Sequence, residues 1–504
     1  MSTPTVCVVG AGTAGLEGLL RAREQLGRDA DLRLIAPDRE FRYRPMAPDS
    51  LLRPAPERGL VIADLATEIG ATWVADRAAV VREDEGCVVT RDGDTVPFDY
   101  LLLAPGARPE RALRQGYVWQ RGGDPSFLDR VISELSSGAV ESVAVVIPRG
   151  ARWPLPAYEL ALVLAWSTAG TGASVTLITA EQRPLATLGP TATDAVCSEL
   201  KAAGVDVRAG VEAVDVPGRR EGGLEAANLL LVPEADETQP GALLGSIPPT
   251  APVSPGRGTE AEFDRLISLP TVLGPNLAGV ATDAAGFIEV DSGLRVCDSE
   301  RIWAAGGCLA AALEHSALSA RQADAVVTAI VAARDGVGSS VSAPELSGLL
   351  LTGQRERWLA ENPVGTHQPS TRCLWWPPGR AVGGMLAEQI NAWNPSVRPS
   401  LPGSPDGLPI QAPIALGCPA SGSHRTRGEA SAETRAARLR DLENRQLNAI
   451  RRREREADSE LRSLQARLER LGADQQRVVR ELKQRGYLLD HTEAPAARHA
   501  RRRS

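Results

Sequence analysis

Short apolar runs that alternate with helical stretches form the main pattern of the chain. The first run, residues 6–9, is followed by glycines and by a helical pattern over residues 16–26, which Gly27 ends. A second apolar run follows at residues 32–35. Continuous apolar runs of this length are typical of parallel strands that are buried on both faces. The pattern therefore predicts a strand, a helix and a second parallel strand at the start of the chain.

The loop between the first predicted strand and helix is rich in glycine. Its sequence is Gly10-Ala11-Gly12-Thr13-Ala14-Gly15. A G-x-G-x-x-G spacing after a strand and before a helix is typical of a dinucleotide-binding loop, in which the second glycine lets a pyrophosphate approach the backbone. The pyrophosphate would bind the open N–H groups at the helix N-terminus. We therefore predict a dinucleotide site; a glycine-rich loop without a ligand is the alternative.

The strand and helix pattern continues beyond this first unit. Residues 100–104 are predicted to form another buried strand, and residues 143–147 begin a second unit with a helix at 157–166 and a strand at 174–179. In this second unit, the loop at residues 148–156 contains one glycine and three prolines. It therefore lacks the glycine backbone that the pyrophosphate of a nicotinamide dinucleotide needs.

The later elements extend the same architecture. A further helix and strand are predicted at residues 192–203 and 205–209, and residues 210–260 are predicted to be loops around one strand, residues 229–232. The apolar pattern then returns and leads into a predicted helix over residues 316–333. Together these elements predict an α/β fold with two interleaved Rossmann-like domains.

The C-terminal part of the chain has a different pattern. Residues 396–428 are rich in Pro, Gly and Ser, as in a linker. Beyond them we predict a coiled-coil helix over residues 429–490, because apolar side chains recur at alternating spacings of four and three. This stripe comprises Ala457, Leu461, Leu464, Leu468, Leu471, Val478 and Leu482, with Gln475 at one core position. A homo-oligomer or a protein partner joined through this helix is one interpretation, and a lone charged helix is the other.

Composition narrows the class of protein. The 504 residues are enough for several domains, and a net charge of −7 with 24% charged residues does not indicate nucleic-acid binding. We find no apolar run that would form a transmembrane segment and no signal-peptide pattern. The seven cysteines are scattered without a C-x-x-C pair, so no metal site is predicted. A cytoplasmic location is expected, with a peripheral position at a membrane as the alternative.

The order of these pieces resembles the flavoproteins of the pyridine nucleotide–disulfide oxidoreductase superfamily. The resemblance rests on residues 10–15, 41–45, 100–107 and 283–333. The last stretch is similar to the family's D-x-x-G-F-I-x-V-D segment, to its A-x-G-D flavin motif and to the helix whose Q-A-D matches Gln322-Ala323-Asp324. Within the superfamily, the chain looks most similar to the branch of sulfide:quinone oxidoreductases and type II NADH dehydrogenases.

The resemblance implies an FAD site. The first glycine loop would hold the FAD pyrophosphate, and the strand that ends near Ala104 and Gly106 would pass close to the cofactor. Gly306 and Gly307 would lie against the pyrophosphate and the ribityl chain. The chain departs from the family at Pro105, where Thr is common, and at Gly307, where an Asp would hydrogen-bond the ribityl hydroxyl.

Further departures fall at positions that would contact the cofactor. After the second strand, where the family often places Glu or Asp on the adenosine ribose, the chain has Ala36 and Pro37. Asp38 is a candidate substitute, and a ribose held by the backbone is the alternative. Glu314 and His315 stand where Lys and Gln are usual beside the flavin. An anion there would disfavour a reduced anionic flavin, because like charges repel in a low-dielectric pocket.

Catalytic residues are not assigned by the sequence, and three weak candidates stand out. Cys308 directly follows the flavin turn, but one cysteine cannot form an internal disulfide, and a small buried residue is its more common role. Glu314 and His315 are more often a pair on a helix surface than an acid–base couple. The branch that the chain resembles often lacks a nicotinamide site, in agreement with the loop at residues 148–156. NAD(P)H is therefore a doubtful cofactor.

The predicted domain organisation follows from the resemblance and the composition. Its parts are residues 1–138, the first part of an FAD-binding domain; 139–272, a second dinucleotide-binding-like domain; 273–395, the second part of the FAD-binding domain and a C-terminal cap; 396–428, a linker; 429–490, a coiled coil; and 491–504, a basic disordered tail. Two functions fit this organisation. One is an FAD-dependent oxidoreductase with a small-molecule redox substrate, for which a quinone is a candidate acceptor. The other is a degenerate flavoprotein scaffold, without catalysis, that presents the coiled coil to a partner.

Overall fold

The structure is a computed structural model of the chain. The residues that it describes are 3–42, 60–120, 126–216, 227–233, 258–310, 313, 315–337, 347–351, 356–360, 384–386, 389 and 408–409. All of them lie within the compact unit of residues 1–425. The predicted coiled coil at 429–490 and the tail at 491–504 lie outside the described residues, as does the predicted linker apart from 408–409.

Helices and parallel strands make up most of the described chain. The helices are α1 (Thr13–Leu26), α2 (Ile62–Ile69), α3 (Ser126–Ser136), α4 (Leu155–Ser167), α5 (Pro190–Ala203) and α6 (Ser316–Arg334). The strands are β1 (Thr5–Val9), β2 (Asp31–Ile35), β3 (Glu40–Phe41), β4 (Leu60–Val61), β5 (Ala71–Val74), β6 (Ala78–Arg82), β7 (Cys87–Thr90), β8 (Thr95–Pro97), β9 (Tyr100–Leu103), β10 (Arg108–Glu110), β11 (Tyr117–Val118), β12 (Ser142–Ile147), β13 (Ser174–Thr179), β14 (Asp206–Ala209), β15 (Val211–Asp215), β16 (Ala227–Pro233), β17 (Thr259–Phe263), β18 (Arg265–Ser268), β19 (Thr271–Leu273), β20 (Ile302–Ala304), β21 (Ser347–Leu351), β22 (Glu356–Ala360) and β23 (Leu408–Pro409).

The first sheet has the strand order β20-β9-β1-β2-β5, and all of its paired strands are parallel. Four of the five residues of β1 are buried, as are Leu101, Leu102 and Leu103 of β9. Both faces of such a sheet must be covered, which is why its strands are continuous apolar runs rather than alternating ones. The edge strand β20 comes from a part of the chain that follows the whole second sheet.

The second sheet is also parallel, with the order β11-β18-β12-β13-β14. Its core includes Leu128, Val131 and Leu135 of α3 together with the buried helix α4. Strand β11 and helix α3 therefore belong with this sheet. The described part of the chain thus has the predicted α/β fold with two parallel sheets.

The region predicted to be loops around one strand contains more regular structure. Strand β16 pairs antiparallel with both β15 and β17. The two outer strands are mostly half-buried or exposed, and each has one buried residue, Ala213 and Phe263. They lack the continuous apolar run by which a buried strand is recognised, so the sequence pattern predicts only the central strand.

Helices α1 and α6 pack closely against each other beneath the first sheet. A Cβ on Gly18 of α1 would lie 2.3 Å from Leu102 Cδ2 and 3.6 Å from Ala323 Cβ, so a larger residue there would displace the buried Leu102 side chain. On the same side, Arg21 Nε and Nη2 donate to Asp324 Oδ1 and Oδ2 at 2.8 and 3.1 Å. Bidentate pairing of this kind fixes geometry as well as adding energy. The contact therefore holds α6 in a defined position beside the glycine loop.

A buried carboxylate on α1 attaches a distant segment of the chain. Glu17 is 0% exposed, and its Oε1 and Oε2 accept the backbone N–H groups of Met385 and Leu386 at 2.7 and 2.8 Å. A Cβ on Gly384 would lie 2.0 Å from Glu17 Oε1, so a larger residue there would displace the carboxylate from its two N–H donors. Burial raises the pKa of Glu17 to about 7. Residues 384–386 are thus fastened directly to the first helix of the fold.

Candidate functional site

The glycine loop of residues 10–15 is built tightly against the end of β9. Gly10 has a φ of +102°, and a Cβ there would lie 2.2 Å from the carbonyl oxygen of Ala104. Its N–H donates to Ile35 O at 2.8 Å. A Cβ on Gly15 would lie 1.8 Å from Gly10 O. Both glycines are therefore required by the packing of the loop itself, whether or not a ligand binds.

Gly12 differs from its two neighbours in the motif. A Cβ built on Gly12 would meet nothing within 4 Å, and its φ of −80° is accessible to any residue. Gly12 is the N-cap of α1 but has no side chain with which to cap it, and the first turn carries no acidic residue. The helix N-terminus, with its partial positive charge, faces an open space that a larger residue would fill. These features fit a bound pyrophosphate.

The turn after β20 packs against the first turn of α1. A Cβ on Gly306 would lie 3.2 Å from Ala14 Cβ and 3.5 Å from Ser319 Oγ. The Gly306 N–H donates to Gln322 Oε1 at 2.8 Å. Gly306 therefore lies against the first turn of α1, although all strands of the second sheet lie between the two in sequence. The structure brings together the glycine loop, Ala104 and Gly306, as the resemblance implies for an FAD site.

The predicted ribose-binding position has no carboxylate of its own. Ala36 is buried, its N–H donates to Val74 O at 3.1 Å, and its carbonyl accepts Trp73 Nε1–H at 3.0 Å. The backbone N–H and carbonyl of Ala36 are therefore already hydrogen-bonded to other residues of the protein. Pro37 and Asp38 are exposed beyond the strand end. Of the two alternatives from the sequence, the exposed Asp38 carboxylate is the one that retains free access to a sugar hydroxyl.

Cys308 is buried beneath the turn and is not presented as a nucleophile. It is 0% exposed, and its Sγ lies 3.3 Å from Ala305 O and 3.6 Å from Leu103 O. Burial raises the pKa of this thiol to about 12, against a smaller lowering by backbone N–H groups that include that of Gly106. Thiolate, the reactive form, is thus disfavoured. The geometry supports the packing role rather than the redox role.

Thiol labelling tests this assignment. At pH 8 a thiol with a pKa of about 12 is ionised in about one molecule in ten thousand, so we expect Cys308 to remain unlabelled by N-ethylmaleimide in the native protein. The half-buried Cys197 is the internal control and should be labelled first. Peptide mass spectrometry before and after denaturation gives both rates. Native labelling of Cys308 as fast as that of Cys197 would contradict the assignment. Cys297 does not enter the test because it is disulfide-bonded.

His315 is a buried cap rather than a surface residue. It is 8% exposed, and its Nδ1 accepts the Leu318 N–H at 3.4 Å at the start of α6. Nδ1 must be unprotonated to accept this bond, so the neutral ring carries its proton on Nε2. The ring also packs on Trp153, with centroids 4.9 Å apart. The expectation of a helix-surface position is therefore wrong for His315, while Glu314 lies outside the described residues.

The loop before α4 is filled by the protein's own side chains. Pro154 is the N-cap of α4 and Pro156 lies in its first turn, so neither offers an N–H to a phosphate. Arg152 is 5% exposed; it donates to the carbonyls of Leu309 and Ala310, and its guanidinium lies 3.5 Å above the Phe287 ring. The loop at residues 148–156 thus contacts the residues that follow the turn at Gly306 and Gly307.

A carboxylate that the sequence analysis did not single out follows β13. Glu181 lies two residues after the second strand of the second unit, and Asp38 lies three residues after the second strand of the first. Glu181 accepts hydrogen bonds from the Tyr158 hydroxyl and from the N–H groups of Leu185 and Thr187, the last two at 3.3 Å. Burial raises the pKa of Glu181, although these bonds oppose the shift. The position of Glu181 just after a strand is the sequence signal that could have identified it. The residues that donate hydrogen bonds to it could not be predicted from the sequence.

Metal and membrane features are absent from the described residues. No group of three His, Cys, Asp or Glu side chains there could hold a metal ion. Among the described helices, none combines the length and apolar content that crossing a membrane requires.

Comparison with known proteins agrees with this geometry. Residues 4–336 match the family described as pyridine nucleotide-disulphide oxidoreductase. Over 124 residues, the chain is 25% identical to the mitochondrial sulfide:quinone oxidoreductase of Mus musculus, a match that covers 23% of this chain and 27% of the mouse protein. The matched region thus spans about a quarter of that curated relative.

Solved structures share the fold over a longer region. The sulfide:quinone oxidoreductase of Aquifex aeolicus superposes with a TM-score of 0.58 at 17% identity, over 81% of this chain and 99% of that one. A ferredoxin reductase of Rhodopseudomonas palustris superposes with a TM-score of 0.52 at 18% identity, over 72% of this chain and 83% of that one. At these identities, the likeness shows a common fold.

Proposed function

Since the chain belongs to the pyridine nucleotide-disulphide oxidoreductase family, we propose that it is an FAD-dependent oxidoreductase. The observation that carries the proposal is the open space over Gly12 at an uncapped helix N-terminus, in a loop whose Gly10 packs against Ala104. When bound, FAD supplies the hydride and electron chemistry. The role of the protein is to bind and orient FAD. N–H groups at the start of α1 would hold the pyrophosphate, and the turn at Gly306 would position the ribityl chain.

The purified protein gives the direct test. A folded enzyme of this kind is yellow, and after removal of the flavin it should bind added FAD with quenching of the flavin fluorescence. The melting temperature should rise with FAD concentration, because a ligand that binds only the native state stabilises it. A folded protein that is colourless and does not bind added FAD would refute the proposal.

We further propose a quinone as the electron acceptor and a peripheral position at a membrane surface. Support for the acceptor comes from the similarity to the mouse sulfide:quinone oxidoreductase. After photoreduction of the flavin under anaerobic conditions, a soluble ubiquinone analogue should reoxidise it in a saturable manner and faster than dioxygen does. Equal rates with and without the quinone would exclude this acceptor.

NADH and NADPH are expected to reduce the flavin slowly or not at all. Pro154 and Pro156 remove donors from the N-terminus of α4, and the carboxylate of Glu181, which follows the second strand, is already bonded to Tyr158. Stopped-flow mixing of each nucleotide with the oxidised protein measures the rate, and dithionite is the control that shows the flavin to be reducible. Rapid, saturable reduction with a low-micromolar dissociation constant would contradict this expectation.

The second candidate function is a degenerate flavoprotein scaffold that presents the predicted coiled coil to a partner. It is favoured by the occupied backbone of Ala36 and by Gly307, which has no carboxylate for the ribityl chain. On this proposal, the protein is folded without flavin. Both candidates predict that truncation at residue 425 lowers the oligomeric state if the helix self-associates. Light scattering on the full chain and on the truncated chain measures the number of subunits. Equal numbers would mean that the helix binds a different partner or none.

A further inference from the structure

Arg152, in the loop before α4, reaches the segment that follows the turn at Gly306. Its guanidinium donates from Nη1 to Leu309 O at 2.5 Å and from Nη2 to Ala310 O. The same group lies 3.5 Å from the centroid of the Phe287 ring, and the residue is 5% exposed. A planar guanidinium can bind two oxygens and stack on a ring at once, which an ammonium group cannot do. The side chain therefore binds this segment in one defined geometry.

The turn itself is closed by backbone hydrogen bonds that involve the same two residues. The Leu309 N–H donates to Gly306 O at 3.2 Å, and the Ala310 N–H donates to Ile288 O at 2.9 Å. Gly306 lies against Ala14 in the first turn of α1. One short turn therefore connects the carbonyls that the guanidinium binds to the residue that contacts the glycine loop.

A second contact from the loop before α4 reaches the start of α6. The ring of Trp153 packs on His315, which caps this helix, with ring centroids 4.9 Å apart. At the start of α4, Leu155 belongs to the same apolar cluster as Leu313 and Leu318. One loop of the second unit thus contacts both the segment after the turn and the helix that packs beside α1.

The same loop has a different role in a dinucleotide-binding unit, where the connection between the first strand and helix holds a phosphate. In this chain, Pro154 and Pro156 supply no N–H donors at the start of α4. The guanidinium of Arg152 donates to carbonyls of the segment after the turn at Gly306. The contacts of this loop are therefore directed to the first unit.

We propose that Arg152 is a positioning residue for the cofactor, which fixes the turn at Gly306 in the conformation that receives FAD. The inference rests on the proposed FAD site and gives the second unit a part in forming it. A turn that already has its bound conformation loses less conformational freedom when the ligand arrives, so the ligand binds more tightly.

Arg152→Met tests the proposal, because methionine is long and packs well against aromatic rings but donates no hydrogen bond. In the flavin-free protein, the N–H groups of Leu309 and Ala310 should exchange with deuterium at least about tenfold faster than in the wild type. The dissociation constant of FAD should rise at least about tenfold, which corresponds to about 1.4 kcal/mol. Hydrogen-exchange mass spectrometry and titration of the flavin fluorescence measure the two effects.

Arg152→Lys tests whether the effect comes from the hydrogen bonds. The ammonium group keeps the positive charge and donates to a carbonyl, but it lacks the planar fork of the guanidinium. Both the exchange rates and the FAD affinity should therefore lie between those of the wild type and those of Arg152→Met. Recovery in neither measurement would contradict a role through these hydrogen bonds.

Arg301→Met is the matched control, because Arg301 makes the same kinds of contact at the other end of β20. Its Nη2 donates to Glu83 O, and its guanidinium lies 5.4 Å from the centroid of the Phe98 ring. This variant should lower the melting temperature equally with and without FAD. The dissociation constant of FAD and the exchange of Leu309 and Ala310 should not change.

The outcomes separate this inference from the proposed function. If the wild type binds FAD and Arg152→Met binds it within about twofold of the wild type, Arg152 does not position the cofactor. The same conclusion holds if Arg301→Met weakens FAD binding as much as Arg152→Met does. If the wild type itself does not bind FAD, the proposed function fails and the cofactor role of Arg152 fails with it, while the exchange rates still show whether Arg152 holds the turn. Should Arg152→Met not fold, Arg152→Lys takes its place, and unchanged exchange and FAD affinity in that variant overturn the proposal.

Discussion

Replacement of Gly12 by valine is expected to give a folded protein that no longer retains FAD. The added side chain enters a space in which a Cβ meets nothing within 4 Å, so the protein itself should tolerate it. A bound pyrophosphate, however, would lose close access to the backbone N–H groups at the start of α1. Hydrogen bonds to a charged group contribute about 1.5–3 kcal/mol each, so losing two of them weakens binding by about a hundredfold or more.

Gly15→Val provides the contrast in this experiment. Its Cβ would lie 1.8 Å from Gly10 O, so this variant should be destabilised even without FAD. Flavin content, circular dichroism and melting temperature are measured on both variants and on the wild type. A Gly12→Val protein that purifies folded with full flavin occupancy would place the cofactor site elsewhere. If Gly12→Val lost its flavin only because the variant does not fold, the loop would have a purely structural role.

Raising the pH from 5 to 9 is expected to lower the free energy of unfolding by about 3 kcal/mol through Glu17 alone. Burial raises the pKa of this residue from 4.5 to about 7, and Asp324 adds to the shift while the N–H groups of Leu386 and Met385 and the charge of Arg21 oppose it. A raised native pKa means that the native state binds the proton more tightly than the unfolded chain. The stabilisation is therefore complete below about pH 4.5 and is lost as the pH rises through about 7.

Urea titrations of the wild type and of Glu17→Gln across this pH range isolate the contribution. The glutamine cannot ionise, so the difference between the two free energies should vary with pH by about 3 kcal/mol, with the wild type relatively more stable at low pH. Glu24→Gln, a change of one carboxylate at an exposed position on the same helix, serves as the control. Parallel pH profiles for the wild type and Glu17→Gln would show that Glu17 does not titrate as described.

Local patterns were sufficient to predict the longer helices and the buried parallel strands of the fold. The helix predicted at residues 316–333 is found at Ser316–Arg334, and that predicted at 157–166 is found at Leu155–Ser167. The first helix begins at Thr13 rather than Leu16, because Gly12 already serves as its N-cap. Such signals depend on neighbouring residues, and they are therefore readable without knowledge of the tertiary structure.

Contacts between distant parts of the chain could not be predicted in the same way. His315 was expected on a helix surface, but Trp153 from the loop before α4 covers it. The partners of Glu17 lie 368 and 369 positions away. A carboxylate between apolar residues of a buried helix turn indicates that some partner exists, yet the neighbouring sequence does not identify that partner. The charge and burial of the candidate site are set by such pairs, which is why the site was less predictable than the fold.

The order of strands in the first sheet has a consequence for biosynthesis. Strand β9 pairs with β20, which is Ile302–Ala304, so one edge of the sheet stays open until that part of the chain has left the ribosome. Strands β1, β2, β5 and β9 and helix α1 emerge much earlier, and the whole second sheet is made in between. Such long-range pairing delays closure and leaves an exposed strand edge in the nascent chain. The glycine loop is consequently synthesised among the first residues but meets its partner turn at Gly306 only late in translation.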